Sequence, residues 1–155
     1  MKVGFVGCGL NSDYHINFAK QYATIEIMGV VDKDARKARE CVEKHKLAKS
    51  FSSIDEMIAG GKPDIVHIVT PPNTHYALAK EAIQQECHTL VEKPMTFNVE
   101  DAEELFALAD QHNVKLCAMH NHFYDPCMQK ARDLIDSGQA GKIFNLVLNL
   151  AVRKG

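Results

Sequence analysis

Short apolar runs alternate with stretches in which apolar residues recur every three or four positions, and this pattern fills most of the 155 residues. Runs rich in β-branched residues predict strands, and the longer spacing predicts amphipathic helices. Strands are predicted at 3–6, 25–31, 48–51, 65–69, 88–91 and 114–119. Helices are predicted at 13–22, 34–45, 54–59, 74–85, 99–112 and 128–135. The alternation predicts an α/β fold with a doubly wound parallel sheet that helices cover on both faces.

The segment 143–152 departs from this plan, because its apolar residues alternate with polar ones for part of their length. Such alternation is typical of an antiparallel strand with one solvated face. We therefore predict one domain over 1–122, and over 123–155 a closing helix and the first strand of a truncated second domain. An exposed strand of this kind pairs readily with another copy, which predicts a homo-oligomer.

Composition and charge narrow the partners. The chain is 46% hydrophobic and 25% charged, with a formal net charge of -2, so we expect no general affinity for nucleic acid or anionic membranes. No apolar run approaches the roughly 18 residues of a membrane span. The five cysteines have no metal-site spacing, and no signal peptide precedes the first strand, which predicts reduced thiols in the cytoplasm and no metal.

The turn after the first strand carries the first candidate chemistry. Gly7 permits a tight turn, and Gly9, which lacks a Cβ, lets the backbone approach a phosphate closely. The N-terminus of the following helix then offers free N–H groups and a positive dipole to a pyrophosphate. Ser12 occupies the third glycine position of the usual fingerprint and is small enough for helix–strand contact, whereas Asp13 beside it is unfavourable near a pyrophosphate.

Asp32 ends the second strand about 25 residues after the first glycine, close to the ~20 of the dinucleotide fingerprint. A carboxylate there accepts hydrogen bonds from the adenosine ribose and repels a 2′-phosphate, which favours NAD over NADP. Lys33 and Arg36 are nearby cations that can soften this preference. The alternative is that Asp32 opens a turn or caps the next helix.

The loop after the fourth strand lies at the edge of the sheet where ligands bind in open α/β folds. Its two prolines, Pro71 and Pro72, fix the loop, so Thr70, Asn73 and His75 can point at cofactor or substrate. The alternative is a stiff loop in which Asn73 or Thr74 is the N-cap of the next helix.

Glu92-Lys93-Pro94 follows the fifth strand in the same way. Pro94 keeps Lys93 out of the helical region, so the strand stays extended and aims Lys93 from its end. We expect a partly dry crevice there, in which a lysine amine exchanges a proton with a substrate hydroxyl while hydride passes to nicotinamide. The nearby His120-Asn121-His122 lacks zinc-site spacing and is interpreted as a loop that lines the crevice.

Together these motifs resemble, in order and spacing, the N-terminal domain of the glucose–fructose oxidoreductase / inositol dehydrogenase / MocA family. The specific parts of the resemblance are Glu92-Lys93-Pro94 and the Thr-Pro-Pro-x-x-His loop at 70–75; His15 after the glycine turn and Asp32 after the second strand also match. The resemblance covers nearly the whole chain and implies a Rossmann domain that binds NAD, with NADP possible.

The resemblance also assigns residues. It implies pyrophosphate contacts for Gly7, Gly9, Leu10 and Asn11, adenosine-ribose contacts for Asp32 and Lys33, and nicotinamide-side contacts for Thr70, Pro71, Asn73 and His75. It further implies that Glu92 lies by the nicotinamide ribose, that Lys93 is the catalytic lysine, that Pro94 is often cis, and that Asn121 lies in a loop closing on the cofactor. Phe123 stands where many members have arginine.

Family members are about twice as long, and their second domain supplies most of the substrate pocket and a catalytic histidine. The implied function is therefore the cofactor-binding part of an oxidoreductase that moves hydride between nicotinamide and a hydroxyl-bearing carbon of a sugar, cyclitol or related substrate. We expect the chain not to be fully active alone. The alternative is a non-catalytic regulatory protein of the same fold that senses a dinucleotide.

Overall fold

Six parallel strands form one sheet in the computed structural model, which describes residues 1–147. The strands are β1 (Lys2–Val6), β2 (Glu26–Val31), β3 (Ser50–Phe51), β4 (Ile65–Ile68), β5 (His88–Glu92) and β6 (Leu116–Met119). They lie in the order β3-β2-β1-β4-β5-β6, and each neighbouring pair is parallel. The predicted doubly wound parallel sheet is confirmed.

Within residues 1–147, six α-helices connect and follow these strands. They are α1 (Leu10–Ala19), α2 (Ala35–His45), α3 (Ile54–Ala59), α4 (His75–Gln84), α5 (Val99–Gln111) and α6 (Pro126–Asp136). Single 3₁₀ turns, Pro72–Thr74 and Asn121–Tyr124, precede α4 and α6. The side chains of Asp34, Ser53 and Asn98 cap α2, α3 and α5.

Alternate side chains of β1 enter two separate hydrophobic cores, as the two-residue repeat of a strand requires. Val6 lies in one core, and Val3 and Phe5 lie in the other. The core around Val6 is completed by α3, α4 and α5, through residues such as Met57, Ile83 and Leu105. The core around Phe5 is completed by α1 and α2, through Ile16 and Cys41. Helices therefore cover both faces of the sheet, as predicted.

The first helix begins earlier than the sequence pattern indicates. The prediction placed its start at residue 13, but α1 begins at Leu10, directly after the N-cap Gly9. Hydrophobic periodicity does not mark this turn because Leu10 and Tyr14 are exposed and only Ser12, Ile16 and Ala19 are buried. The helix N-terminus therefore lies right at the glycine turn.

The predicted strand at 143–152 is wrong for the part that can be described. Residues 143–147 form no strand, and 148–152 lie outside the described residues. Alternation alone does not form a strand, because a strand also needs a partner to hydrogen-bond its backbone.

The chain divides into two compact units, the first Met1–Met119 and the second beginning at His120. The first holds the whole sheet, and the second holds α6. Among residues 1–147, no helix combines the length and the apolar character that a membrane span requires.

Candidate functional site

A cleft of about 940 Å³ opens at the carboxyl ends of β1, β2 and β4. The chain winds outward from β1 in both directions, so this is the point where the strand order reverses and where α/β sheets bind ligands. Its lining includes Gly7, Gly9, Leu10, Asn11, Asp32, Lys33, Thr70, Pro71 and Asn73, which are nine of the predicted site residues. The fold thus brings most of the predicted site together.

Gly7 leaves β1 in a conformation that requires glycine. Its φ is +103°, and a Cβ there would lie 2.8 Å from the carbonyl oxygen of Val69. Its amide donates to the Val31 carbonyl at 2.7 Å. The turn is therefore wedged between β2 and the segment after β4, with no space for a side chain.

Gly9 has the opposite surroundings. It is the N-cap of α1, and a Cβ built on it would meet no atom within 4 Å. Among residues 1–147, no side chain caps this helix N-terminus. The free N–H groups of the first turn consequently face an open cleft, which fits a ligand phosphate.

The side chains of Ser12 and Asp13, in the first turn of α1, form hydrogen bonds within the protein. Ser12 is fully buried, and its hydroxyl donates to the Gly9 carbonyl at 2.5 Å. Asp13, which the sequence marked as unfavourable near a pyrophosphate, pairs with Lys44 and His45 of α2, each at 2.6 Å. The hydrogen bond from Lys44, and then that from His45, lowers the pKa of the Asp13 carboxyl below its usual value. The negative charge of Asp13 is thus stabilised by hydrogen bonds from α2.

Asp32 holds the glycine turn in place. One carboxylate oxygen accepts the Cys8 amide at 2.9 Å, and the other accepts the Asp34 amide at 2.9 Å. The turn-opening alternative is therefore part of its role, whereas the helix cap of α2 is Asp34. Asp32 still lines the cleft, and each of its oxygens retains lone pairs for a ligand hydroxyl.

The loop after β4 is held by its own hydroxyls. Thr74 Oγ1 lies 2.7 Å from Thr70 Oγ1 and 2.8 Å from the Pro71 carbonyl oxygen. Thr70, Pro71 and Asn73 all line the cleft. The loop is thus stiffened by the Thr74 hydroxyl and also lines the cleft, whereas within residues 1–147 the side chain of Thr74, the N-cap residue of α4, makes no capping hydrogen bond. The predicted contacts of this loop with a ligand stay a prediction.

The side chain of His75 is buried, and its predicted contact with the nicotinamide side stays a prediction. Its side chain is 1% exposed and does not line the cleft. The ring nitrogens face two carbonyl oxygens, Nδ1 that of Pro94 and Nε2 that of Thr70, each at 2.8 Å. The ring therefore bridges the loop after β4 and the turn after β5, and acts on the site by positioning these segments.

Glu92 is fixed on both carboxylate oxygens. His15 of α1 contacts Oε1 at 3.0 Å, and the Lys93 amide donates to Oε2 at 3.2 Å. The ring of His67 packs edge-on against His15 with centroids 4.7 Å apart. Burial, and then the nearby His15, lowers the pKa of His67 to about 3. The end of β5 is thereby tied to the helix whose N-terminus opens into the cleft.

Lys93 follows directly, and its peptide bond to Pro94 is cis. The side chain is exposed and does not line the cleft, and neither does Glu92. The partly dry crevice expected around Lys93 therefore stays a prediction. Periodicity and motif spacing locate a strand end, but they do not reveal how much protein covers it.

Asn121 begins the 3₁₀ turn Asn121–Tyr124 in the second unit, and its predicted closing role stays a prediction. His122 beside it contacts Asp125 at 3.0 Å. Within residues 1–147, no group of three or more His, Cys, Asp or Glu side chains is arranged to hold a metal ion.

Several residues that line the cleft were not predicted as site residues, among them Cys8, Lys37, Ala77, Leu78 and Glu81. Lys37 lies in the first turn of α2, directly after the loop that carries Asp32 and Lys33, so its position close to the end of β2 was an available signal. Ala77, Leu78 and Glu81 belong to α4, and only the sheet topology brings that helix to the cleft. Burial raises the pKa of the Glu81 carboxyl.

Comparison with known proteins agrees with this geometry. The model of an oxidoreductase family with an NAD-binding Rossmann fold, GFO_IDH_MocA, matches residues 1–120. UDP-N-acetylglucosamine 3-dehydrogenase of Acidithiobacillus ferrooxidans is 35% identical over 133 residues, which are 85% of this chain and 41% of that protein. D-glucoside 3-dehydrogenase of Escherichia coli is 26% identical over 145 residues, 93% of this chain and 41% of that protein.

Among solved structures, the WlbA dehydrogenase from Bordetella pertussis, in complex with NADH and UDP-GlcNAcA, superposes with a TM-score of 0.84 at 27% identity. The match covers 92% of this chain and 44% of that one. The chain spans about 40% of the length of such curated relatives. With its parallel sheet, glycine turn and switch-point cleft, the chain belongs to the GFO_IDH_MocA oxidoreductase family as an NAD-binding Rossmann domain.

Proposed function

We propose that the cleft binds NAD with its pyrophosphate on the N-terminus of α1. The observation that carries this proposal is the open space at Gly9, next to helix N–H groups that no described side chain caps. Phosphate oxygens are strong acceptors and are attracted by the positive end of the helix dipole. Leu10 and Asn11, the first residues of α1, would supply backbone donors.

The cleft also offers surfaces for the rest of the dinucleotide. Ala77 and Leu78 of α4, with Ile54 of α3, provide an apolar wall that suits the adenine ring. Asp32, which lines the same cleft, would accept hydrogen bonds from the adenosine ribose. Thr70 and Asn73 would then contact the nicotinamide half.

Cofactor preference depends on charges at the end of β2. The Asp32 carboxylate repels a 2′-phosphate, whereas Lys33 and Lys37 are exposed cations on the same side of the cleft that attract one. Asp32 is fixed by two backbone amides beside the glycine turn, whereas the lysines are exposed to solvent, so we propose NAD as the preferred cofactor.

Titration with NADH and NADPH, followed by nicotinamide fluorescence, tests this assignment. We expect NADH to bind more tightly than NADPH. Asp32→Asn should lower the ratio of their dissociation constants, NADPH over NADH, by about tenfold, because the repulsion of about 1.4 kcal/mol between the carboxylate and the 2′-phosphate is lost. Asn retains one acceptor, for the Cys8 amide, but loses the acceptor for the Asp34 amide, so circular dichroism must check that the fold persists. An unchanged ratio in a folded variant would contradict the ribose assignment.

We further propose that Lys93 is the proton donor or acceptor for a substrate hydroxyl when a protein carrying this domain transfers hydride. Glu92 fixes the backbone of Lys93 through the 3.2 Å hydrogen bond to its amide. The named activities of the relatives, UDP-N-acetylglucosamine and glucoside 3-dehydrogenation, support a sugar or cyclitol alcohol as substrate. Bound NAD supplies the hydride acceptor at its nicotinamide ring.

The lysine assignment is tested in a protein that joins this domain to a substrate domain like that of the relatives. Lys93→Met should lower kcat by about 10²–10⁴, the usual contribution of a general acid–base, with little change in NADH affinity. Equal losses in kcat and in cofactor affinity would indicate a binding role instead.

Self-association of the chain, the other prediction from its sequence, is measured directly by light scattering.

A further inference from the structure

The carboxylate of Glu81 is a charged group of the cleft that the proposed contacts with NAD leave unused. Glu81 is half-buried and lines the cleft together with Ala77 and Leu78, which precede it on α4. Residues three and four positions apart lie on one face of a helix, so these side chains form one strip of the cleft wall. Within residues 1–147, the Glu81 carboxylate has neither a hydrogen-bond nor an ion-pair partner.

Charged side chains close to Glu81 do have partners. Lys80 donates to Glu104 at 2.6 Å, and Asp55 accepts a hydrogen bond from Gln85 at 3.0 Å. Burial raises the pKa of the Glu81 carboxyl, and the negative charge of Asp55 raises it further. The protein thus removes water from this carboxylate without supplying a hydrogen bond in return, which disfavours its charge. A ligand in the cleft that carries a donor would compensate for this cost.

The dinucleotide proposed for the cleft has one donor that suits this position. Its phosphates are anions, which repel a carboxylate, and they are assigned to the N-terminus of α1. The apolar wall formed by Ala77, Leu78 and Ile54, which adjoins Glu81 on α4, is assigned to the adenine ring. The ring nitrogens of adenine accept hydrogen bonds, whereas its 6-amino group donates them. A carboxylate beside the adenine ring therefore pairs with this amine.

We propose that Glu81 recognises the base of the dinucleotide by accepting a hydrogen bond from the 6-amino group of adenine. The cleft then distinguishes adenine from a 6-oxopurine, because an oxygen in place of the amine turns its lone pairs toward the carboxylate. Sites that hydrogen-bond a substrate N–H strongly reject analogues that lack it, since the polar group of the site is left unpaired. The inference rests on the proposed NAD function and adds base selectivity to it.

Parallel titrations with NADH and with reduced nicotinamide hypoxanthine dinucleotide test the inference. The two ligands differ at the purine, where a 6-oxo group replaces the amine, and they carry the same fluorescent dihydronicotinamide. NADH should bind at least about tenfold more tightly, the lower end of what a hydrogen bond to a charged group contributes. Equal affinities of the two ligands would overturn the inference and leave the proposed dinucleotide site intact.

Substitutions at Glu81 test whether this residue is the source of the preference. A glutamine amide can accept from an amine and donate to a 6-oxo group, so Glu81→Gln should remove the preference for NADH. Glu81→Ala should weaken NADH binding by about tenfold without weakening the binding of the hypoxanthine ligand. Glu43→Gln, at an exposed carboxylate of α2 outside the cleft lining, should keep the preference of the parent chain.

Three results would contradict the inference at different points. A preference for NADH that persists in both Glu81 variants would overturn the assignment to this residue. A preference that disappears in Glu43→Gln as well would show that net charge, and not a hydrogen bond, sets the selectivity. If neither ligand binds to the parent chain at millimolar concentration, the proposed function fails and the inference fails with it. Circular dichroism checks the fold of each variant, and the comparison in the parent chain decides base selectivity without any substitution.

Discussion

Gly7 and Gly9 flank one residue of the same turn, yet they are glycines for different reasons. At Gly7 the protein itself leaves no space, because a Cβ would lie 2.8 Å from the Val69 carbonyl and φ is +103°. At Gly9 the protein leaves the space empty, which is expected where a ligand must approach the backbone. The fold therefore requires a glycine at position 7, whereas the glycine at position 9 leaves room for a ligand.

Substituting alanine at each glycine should separate these roles. Gly7→Ala should lower the free energy of unfolding by about 1–3 kcal/mol, as expected for a strained backbone and a steric clash. Gly9→Ala should leave thermal stability nearly unchanged but abolish measurable NADH binding. Denaturant unfolding and fluorescence titration of both variants check this, and equal NADH affinity in Gly9→Ala and the parent chain would refute the pyrophosphate site.

His67 makes the fold sensitive to acid. Its ring is 5% exposed, its Nε2 has no hydrogen-bond partner among the described residues, and burial lowers its pKa to about 3. As pH falls from 6.5, the unfolded chain gains a proton that the folded chain does not, so stability decreases until about pH 3.

His67→Phe should remove this part of the pH dependence. Between pH 6.5 and about 3, the free energy of unfolding, measured in urea, should fall less steeply in the variant than in the parent chain. The difference in slope should be at most about 1.4 kcal/mol per pH unit, the value for one proton. Above pH 7 the two profiles should run parallel, because His67 is neutral in both states. Parallel profiles below pH 6 as well would contradict the buried neutral histidine.

At the scale of elements, the contact between α1 and α2 fixes where the cleft begins. Asp13 of α1 bonds to Lys44 and to the buried His45 of α2, and the Lys20 amine donates to the His45 carbonyl. These interactions hold the helix that presents its N-terminus beside the helix that carries Lys37.

Asp13→Asn should weaken this contact at neutral pH. Because Lys44 and His45 lower the pKa of Asp13, its stabilisation is present above the ordinary value of 3.8 and is lost as pH falls below it. We expect a loss of about 1–2 kcal/mol at pH 7, since a hydrogen bond to a charged group is removed. The difference between variant and parent should shrink in acid, and a pH-independent difference would show that the charge is irrelevant.

The order of strands and helices could be predicted from the sequence. The residues at which they begin, and the burial of the side chains at the site, could not. The segment Val66–Ile68 predicted a strand because its β-branched residues are those of a strand buried on both faces, although its middle residue is a histidine. The start of α1 was missed because Leu10 and Tyr14 face outward. At the site, Gly9 and Asp32 were found through motif spacing, whereas Leu78 and Glu81 reach the cleft only through the sheet topology. The burial of the His75 ring was not predicted, because sequence cannot tell a ring that faces a ligand from one that bridges two loops.

At the scale of the whole molecule, one end of one sheet gathers the glycine turn, Asp32 and the loop after β4, whose residues are separated by tens of positions in sequence. The same topology places Lys93 after β5, two strands away from β1. The chain covers 41% of a relative that acts on UDP-N-acetylglucosamine. A cofactor cleft within Met1–Met119 should consequently bind NAD without the remaining length of such relatives.

Amide chemical-shift mapping of the ¹⁵N-labelled chain during titration with NAD⁺ tests this account most directly. We predict saturable shifts at Gly9, Leu10 and Asn11, at Asp32 and around Thr70, with few shifts at the opposite end of the sheet. No saturable shift at millimolar NAD⁺, or shifts concentrated at the amino ends of the strands, would contradict the assignment of the cleft as the dinucleotide site.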